Sequence, residues 1–370
     1  MNTINKLEQK HSTRNYGIDM LRLFAMFFVC AIHVLENGGL LKNVQGLKYD
    51  IAWLVEIIVF CAVNCYAIIS GYVSYSDQEK TYRFSKYITL WLLVFFYSFG
   101  INLVAFLIKG SEVVSFSSLL MSALPVTSNL YWYFSAYTGV FFIVPLLNKF
   151  VRSLNKKQLT AAIILIFAVF SCYGFLFNVF YMSDGYSFVW LAILYLFGAW
   201  LKKCEIPQKI KGTYAMLGIV ICVLITWLFK IASPIFNGLL VSYISPTIVI
   251  MAICYVIVFS KLRFNNVGQK LVGYLAPAAF GVYIIHLQKV VANKFIINKF
   301  IWISELDWWL IPIVVLGSAF VIFSICLIIE RIRLSAFSIL KINKFAENVC
   351  YKIELFLRKC INKICDRISD

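Results

Sequence analysis

The chain has 370 residues, 62% of them apolar and 14% charged, and its mean hydropathy is +0.84. A soluble domain cannot hide that much apolar surface, so lipid must be part of the solvent, and an ordinary globular enzyme is excluded. The net charge of +17 sits in short gaps between apolar runs, which argues for a membrane topology signal and against a nucleic-acid surface.

Residues 1–17 form a charged tail with no apolar run, so they are not a secretory signal; His11 there reads as solvated. Apolar segments then predict about ten transmembrane helices, near 18–36, 51–73, 87–108, 130–147, 159–181, 187–201, 212–230, 244–260, 271–291 and 308–330. The ninth contains Pro277 among alanines, which predicts a kink. Lys and Arg concentrate in alternate gaps, for example Lys6, Lys10 and Arg14, then Lys80, Arg83 and Lys86, then Lys149 to Lys157. The opposite side holds only Lys42, Lys48, Lys109, Lys230, Lys289, Lys294 and Lys299. The bias sets an N-in, C-in, all-α integral membrane protein, with a membrane domain over 18–330.

Residues 331–370 form a basic cytoplasmic tail. Ile342, Phe345, Ala346, Val349, Ile353, Phe356, Cys360, Ile364 and Ile368 recur at helical spacing with Lys and Arg between them. That pattern predicts an amphipathic helix on the inner leaflet, with docking to a partner as the rival reading. Cys350, Cys360 and Cys365 are open to acylation there, though nothing in their spacing requires it. Most of the eleven cysteines lie in apolar runs, and no Cys/His cluster has metal-ligand spacing, so no metal is expected.

The chemistry starts in the first span. Arg22 and His33 are costly inside a membrane helix, and eleven residues of helix bring them to one face, separated by a rise of roughly 16 Å. On the predicted topology Arg22 lies near the inner surface and His33 in the outer third. Glu36, three residues on, is placed to orient the His33 imidazole as a general base. Taken alone, Arg22 reads equally as an inner anchor, His33 as a core histidine and Glu36 as a loop charge. Any two residues eleven apart share a face, so the spacing alone does not make a site. His286, near the outer end of span nine, is as readily structural as catalytic by sequence, and its predicted level beside His33 favours the site.

The segment Asp19-x-x-Arg22-x10-His33 resembles the signature of the membrane-bound acyltransferase 3 family, bacterial multi-span enzymes that O-acylate surface carbohydrates. Four later segments resemble further family elements in order. They are Ser70-Gly71-Tyr72, a basic patch of Arg83 and Lys86 (where the family tends to show two Arg), Trp132-Tyr133, and the Phe-x-x-Gly-type run around Gly198, before a last element closing on His286. The resemblance covers about residues 17–290. It implies a cytoplasmic acyl-CoA donor, acetyl-CoA favoured, with Arg22, Arg83 and Lys86 on its phosphates and His33 as the base. An acyl-His33 intermediate remains open. Ser70, Trp132 and Tyr133 are candidates for the acceptor or oxyanion site, between which the sequence does not choose. The implied partners are a carbohydrate or lipid-linked sugar acceptor and membrane lipid, in a bacterial plasma membrane. The competing readings are a secondary transporter or lipid-linked-sugar flippase, and a membrane scaffold recruiting a partner through the basic tail; the scaffold leaves Arg22 and His33 unexplained.

Overall fold

The structure is a computed structural model that describes residues 14–79, 82–177, 179–232 and 238–369, without the side chains of 364–369. Lys6, Lys10, His11, Lys80 and the side chains of Ile364, Cys365 and Ile368 therefore lie outside the described residues. The described chain is helical throughout and contains no strand.

The main helices in chain order are α1 (Tyr16–Leu35), α2 (Leu47–Phe60), α3 (Ala62–Ser74), α4 (Tyr87–Lys109), α5 (Trp132–Ser153), α6 (Lys156–Phe177, with a π-helical stretch) and α7 (Phe188–Lys203). They continue with α8 (Gly212–Ala232), α9 (Pro246–Ser260), α10 (Asn266–His286), α11 (Lys289–Phe295), α12 (Leu310–Ile339) and α13 (Ile342–Ser369). Shorter helices lie in the connections. Every apolar segment picked from the sequence is a helix, but seven are long and apolar enough to cross a membrane, or eight when the bent pair α10–α11 is counted. The prediction of about ten therefore exceeds what length supports. At 16 and 15 residues, α7 and α9 rise only about 22–24 Å, less than a hydrocarbon core of about 30 Å. Both are enclosed: Trp190, Leu194, Tyr195 and Phe197 in α7 and Ile248, Val249, Met251 and Val256 in α9 are buried by protein, so lipid thickness does not set their length.

α1 is the hub. It packs against α2, α3, α9, α10 and α12, and 72% of its apolar window is buried, against 22–33% in α5, α6, α8 and α12. Asn15 starts it by accepting the Gly17 and Ile18 amides, and its own amide group donates to the Ser260 carbonyl at the end of α9. The closest pairing elsewhere is α3 on α7. A Cβ on Gly71 would run into the Tyr195 carbonyl and one on Gly198 into the Ile68 carbonyl. These glycines let the two backbones touch, as small residues do where membrane helices cross. Two segments that look unrelated in sequence are thus the two halves of one contact.

α10 departs from the predicted kink. Pro277 sits in one turn of 3-10 helix (Ala276–Ala278) and the helix continues through it. The sharp bend, 75°, comes after His286, where α11 turns away. α12 runs without a break through residue 331, the predicted edge of the tail, to Ile339. At that edge Arg333 makes a two-pronged ion pair with Glu330 (2.6 and 2.8 Å), which also accepts from the Tyr97 hydroxyl at 2.9 Å. Gly281 of α10 leaves the room for the Glu330 side chain.

The tail helix α13 makes contacts that neither reading of the sequence included. It docks on the protein itself: Glu354 accepts from the Ser85 amide at 2.9 Å, Arg358 donates to the Tyr82 carbonyl at 2.8 Å, and the Arg83 guanidinium lies 4.9 Å from the Tyr351 ring centre. Its apolar row, including Phe345, Ile353 and Phe356, stays exposed and is available to a leaflet.

Candidate active site

Asp19 organises the start of the site. One turn below Arg22 on α1, it accepts from the Arg22 guanidinium at 2.8 Å and also pairs with Arg14. Arg22 is thereby held with a defined direction rather than left to swing as a surface anchor. It lines a cavity of about 340 Å³ together with Ser70, Ser74, Tyr137 and Pro277.

His33, three turns further along α1, lines a second cavity of about 270 Å³. The other walls are mainly aromatic, from Trp132, Tyr133, Tyr186, Tyr243, Phe280 and Tyr283, with Glu36 and Asn37 also in the lining. Tyr66, Tyr133 and Phe280 belong to both cavities, so these three rings form a waist between the Arg22 end and the His33 end. The Tyr66 hydroxyl is fixed there by donating to the Arg22 carbonyl at 2.8 Å.

His33 and His286 form the centre. His33 Nδ1 lies 2.8 Å from His286 Nε2, and His286 Nδ1 lies 2.6 Å from the Val282 carbonyl. The tautomers follow from the partners. A carbonyl only accepts, so His286 Nδ1 carries a proton; in the neutral ring its Nε2 then accepts from His33 Nδ1–H. That leaves His33 Nε2 with a free lone pair, in a residue that lines the cavity. The protein thus presents a base whose tautomer is set by a second imidazole, itself anchored to the backbone one helical turn away.

The remaining predicted residues divide clearly. Glu36 lines the His33 cavity, but the imidazole donates its Nδ1–H to His286 instead. Trp132 and Tyr133 share the cavity with His33, whereas Ser70 lies in the Arg22 cavity, its hydroxyl 3.1 Å from that of Tyr137. Arg83 and Lys86 line neither cavity; Lys86 is exposed one turn before Leu90, which does line the Arg22 cavity. Three residues were missed in the sequence. Tyr283 stands one turn before His286, and its buried hydroxyl has no side-chain partner among the described residues. Tyr186 and Tyr243 come from loops, where no periodic pattern draws attention to them.

The acyltransferase 3 family, described as an acyltransferase domain, matches residues 15–331 of this chain. That is most of its length, and the chain belongs to this family of membrane acyltransferases. No curated protein and no solved structure matches it.

Proposed function

We propose that the protein is an N-in, C-in integral-membrane O-acyltransferase that moves an acyl group, acetyl favoured, from cytoplasmic acyl-CoA to a hydroxyl of an extracytoplasmic or lipid-linked carbohydrate. On this reading α7 and α9 complete the predicted ten passes as short, enclosed helices. The observation that carries it is the free Nε2 of His33 in a cavity that adjoins, through an aromatic waist, a second cavity holding a guanidinium.

Arg22 takes the charged part of the donor, with Lys86 and Arg83 at the same end. The thin pantetheine arm lies through the waist of Tyr66, Tyr133 and Phe280, and the thioester reaches the His33 cavity. The acceptor stacks on the aromatic walls. His33 Nε2 takes the hydroxyl proton as that oxygen attacks the thioester carbonyl, forming the new C–O bond. The resulting imidazolium is stabilised through His286, whose Nδ1–H is held by Val282. Tyr133 and Tyr283, which line the same cavity, are the candidate hydroxyl donors for the oxyanion. Collapse breaks the C–S bond, and the leaving thiolate recovers the proton from His33. The products are an ester and free CoA thiol. His33 is the catalytic base on this scheme, and His286 is a positioning residue.

Washed membranes supplied with acyl-CoA and a carbohydrate acceptor should release free thiol, and His33→Ala should abolish the release with the protein still inserted. Unchanged release in His33→Ala removes the proposed base.

A further inference from the structure

Two more cavities open from the His33 end, and neither has a role in the transfer step. The first, about 740 Å³, shares Asn37 and Leu287 with the His33 cavity. Its walls carry a row of hydroxyls and amides, among them Ser98, Asn102, Ser118, Thr127, Ser128 and Gln288, set between apolar side chains such as Met121, Leu130 and Ile297. The second, about 490 Å³, shares Asn102, Ser118, Lys289 and Asn293 with the first, and adds Lys109 and Lys294. The sequence runs the same way: His286, the bend, then Lys289.

The three lysines are exposed, but the helix that carries two of them is clamped in place. Gln288 is 2% exposed; its amide donates to Asn102 of α4 at 2.7 Å while its carbonyl oxygen accepts the Val290 and Val291 amides. That clamp holds α11, which carries Lys289 and Lys294, against the end of α4, which carries Lys109. None of the three lysines belongs to an ion pair among the described residues. Glu112, on the turn beyond Lys109, does not line the cavity. Beside the lysines, Ile108 and Val113 line the same cavity and are exposed, as is Leu107, which gives an apolar flank.

We propose that Lys109, Lys289 and Lys294 seat the phosphate or diphosphate of an acceptor sugar carried on a lipid. The inference rests on the acyltransferase reading and narrows its acceptor. Compact ammonium groups suit phosphate oxygens. The intervening hydroxyl and amide groove suits the sugar units between phosphate and reacting hydroxyl, and the apolar flank suits the lipid chain. A cluster that merely met phospholipid headgroups would need no continuous path to His33.

The test uses the full chain in neutral phosphatidylcholine nanodiscs. Binding of polyprenyl diphosphate-linked N-acetylglucosamine is measured for wild type and the triple variant Lys109→Gln, Lys289→Gln, Lys294→Gln. Acyl transfer to that compound is compared with transfer to the alkyl glycoside of the same sugar. The variant should bind the diphosphate at least about tenfold more weakly. It should lose the same factor in kcat/KM for it, yet keep wild-type transfer to the glycoside, which also shows that the variant is folded. Inorganic diphosphate should compete for binding, and phosphatidylglycerol should not. Equal binding by wild type and variant overturns the proposal, and so does competition by phosphatidylglycerol as strong as by diphosphate, which marks a headgroup site. The binding arm is independent of catalysis: tight binding without transfer to either acceptor counts against the acyltransferase reading and leaves the lysine site standing.

Discussion

The Arg22 cavity and the His33 cavity are similar in size and share three rings, yet they are opposite in chemistry. At one end a guanidinium is oriented by the Asp19 carboxylate, with small hydroxyls around it. At the other, two imidazoles bond to each other and to a backbone carbonyl, within walls of Trp and Tyr. The first arrangement keeps a permanent charge available for a charged ligand. The second fixes the tautomer of one imidazole with another and so prepares a proton acceptor. The proposed function assigns holding and reacting to opposite ends of one helix, α1.

The sharpest way to break this division is at the base. His33→Ala should lower transfer by about 10³-fold in a free-thiol assay, with unchanged membrane content of the protein. His286→Ala should cost about 10²-fold in kcat by releasing the His33 ring, and His286→Gln should recover part of it, because the amide oxygen can still accept from Nδ1–H. Complete insensitivity to His286→Ala would leave the base without its orienting partner.

The other end should respond in a different parameter. Arg22→Ala should raise the KM for acyl-CoA by about tenfold to a hundredfold, the weight of one charge-assisted contact, with kcat little changed. A fall in kcat at constant KM would dissolve the division between the two ends. Asp19→Asn should move KM in the same direction by a smaller factor.

The smallest effect belongs to the tail, outside both cavities. Burial of the Glu354 carboxyl works against its ionisation, but the Ser85 amide and Arg358 outweigh it and hold the group below the ordinary carboxylate range. Docking of α13 is therefore strongest above the ordinary carboxylate range, and the contribution disappears as pH falls through the lowered value. Glu354→Gln should weaken docking by under about 1 kcal/mol, read as faster proteolytic release of the tail at neutral pH, with transfer intact.

How much of this was legible depends on whether the cause is local. Arg22 and His33 stand out because an ionisable group in an apolar run is costly wherever the rest of the chain goes. The partner of His33 is a different matter. Glu36 is near in sequence, but the imidazole bonds to a residue 253 positions away, and only the packing of α10 on α1 brings it there. Ser70, Trp132 and Tyr133 could not be ranked from sequence, because a cavity wall is a property of several helices together. The gap between ten predicted passes and the seven or eight that helix length supports has the same origin: hydropathy marks α7 and α9 as apolar but cannot tell a helix wrapped in protein from one facing lipid. By sequence, Glu330 falls at the end of the last span and Arg333 in the basic tail, although a Glu and an Arg three apart at the end of an apolar run fit a buried pair equally well.

The waist of Tyr66, Tyr133 and Phe280 carries a consequence for the cell. A bilayer stores a voltage and a proton gradient, and an open bore through one protein would discharge both. On the proposed function, three rings closing around a slender linker let a reaction draw on one compartment and deliver to another while the membrane stays insulating. Trimming Phe280 to alanine would then be expected to make the enzyme conduct.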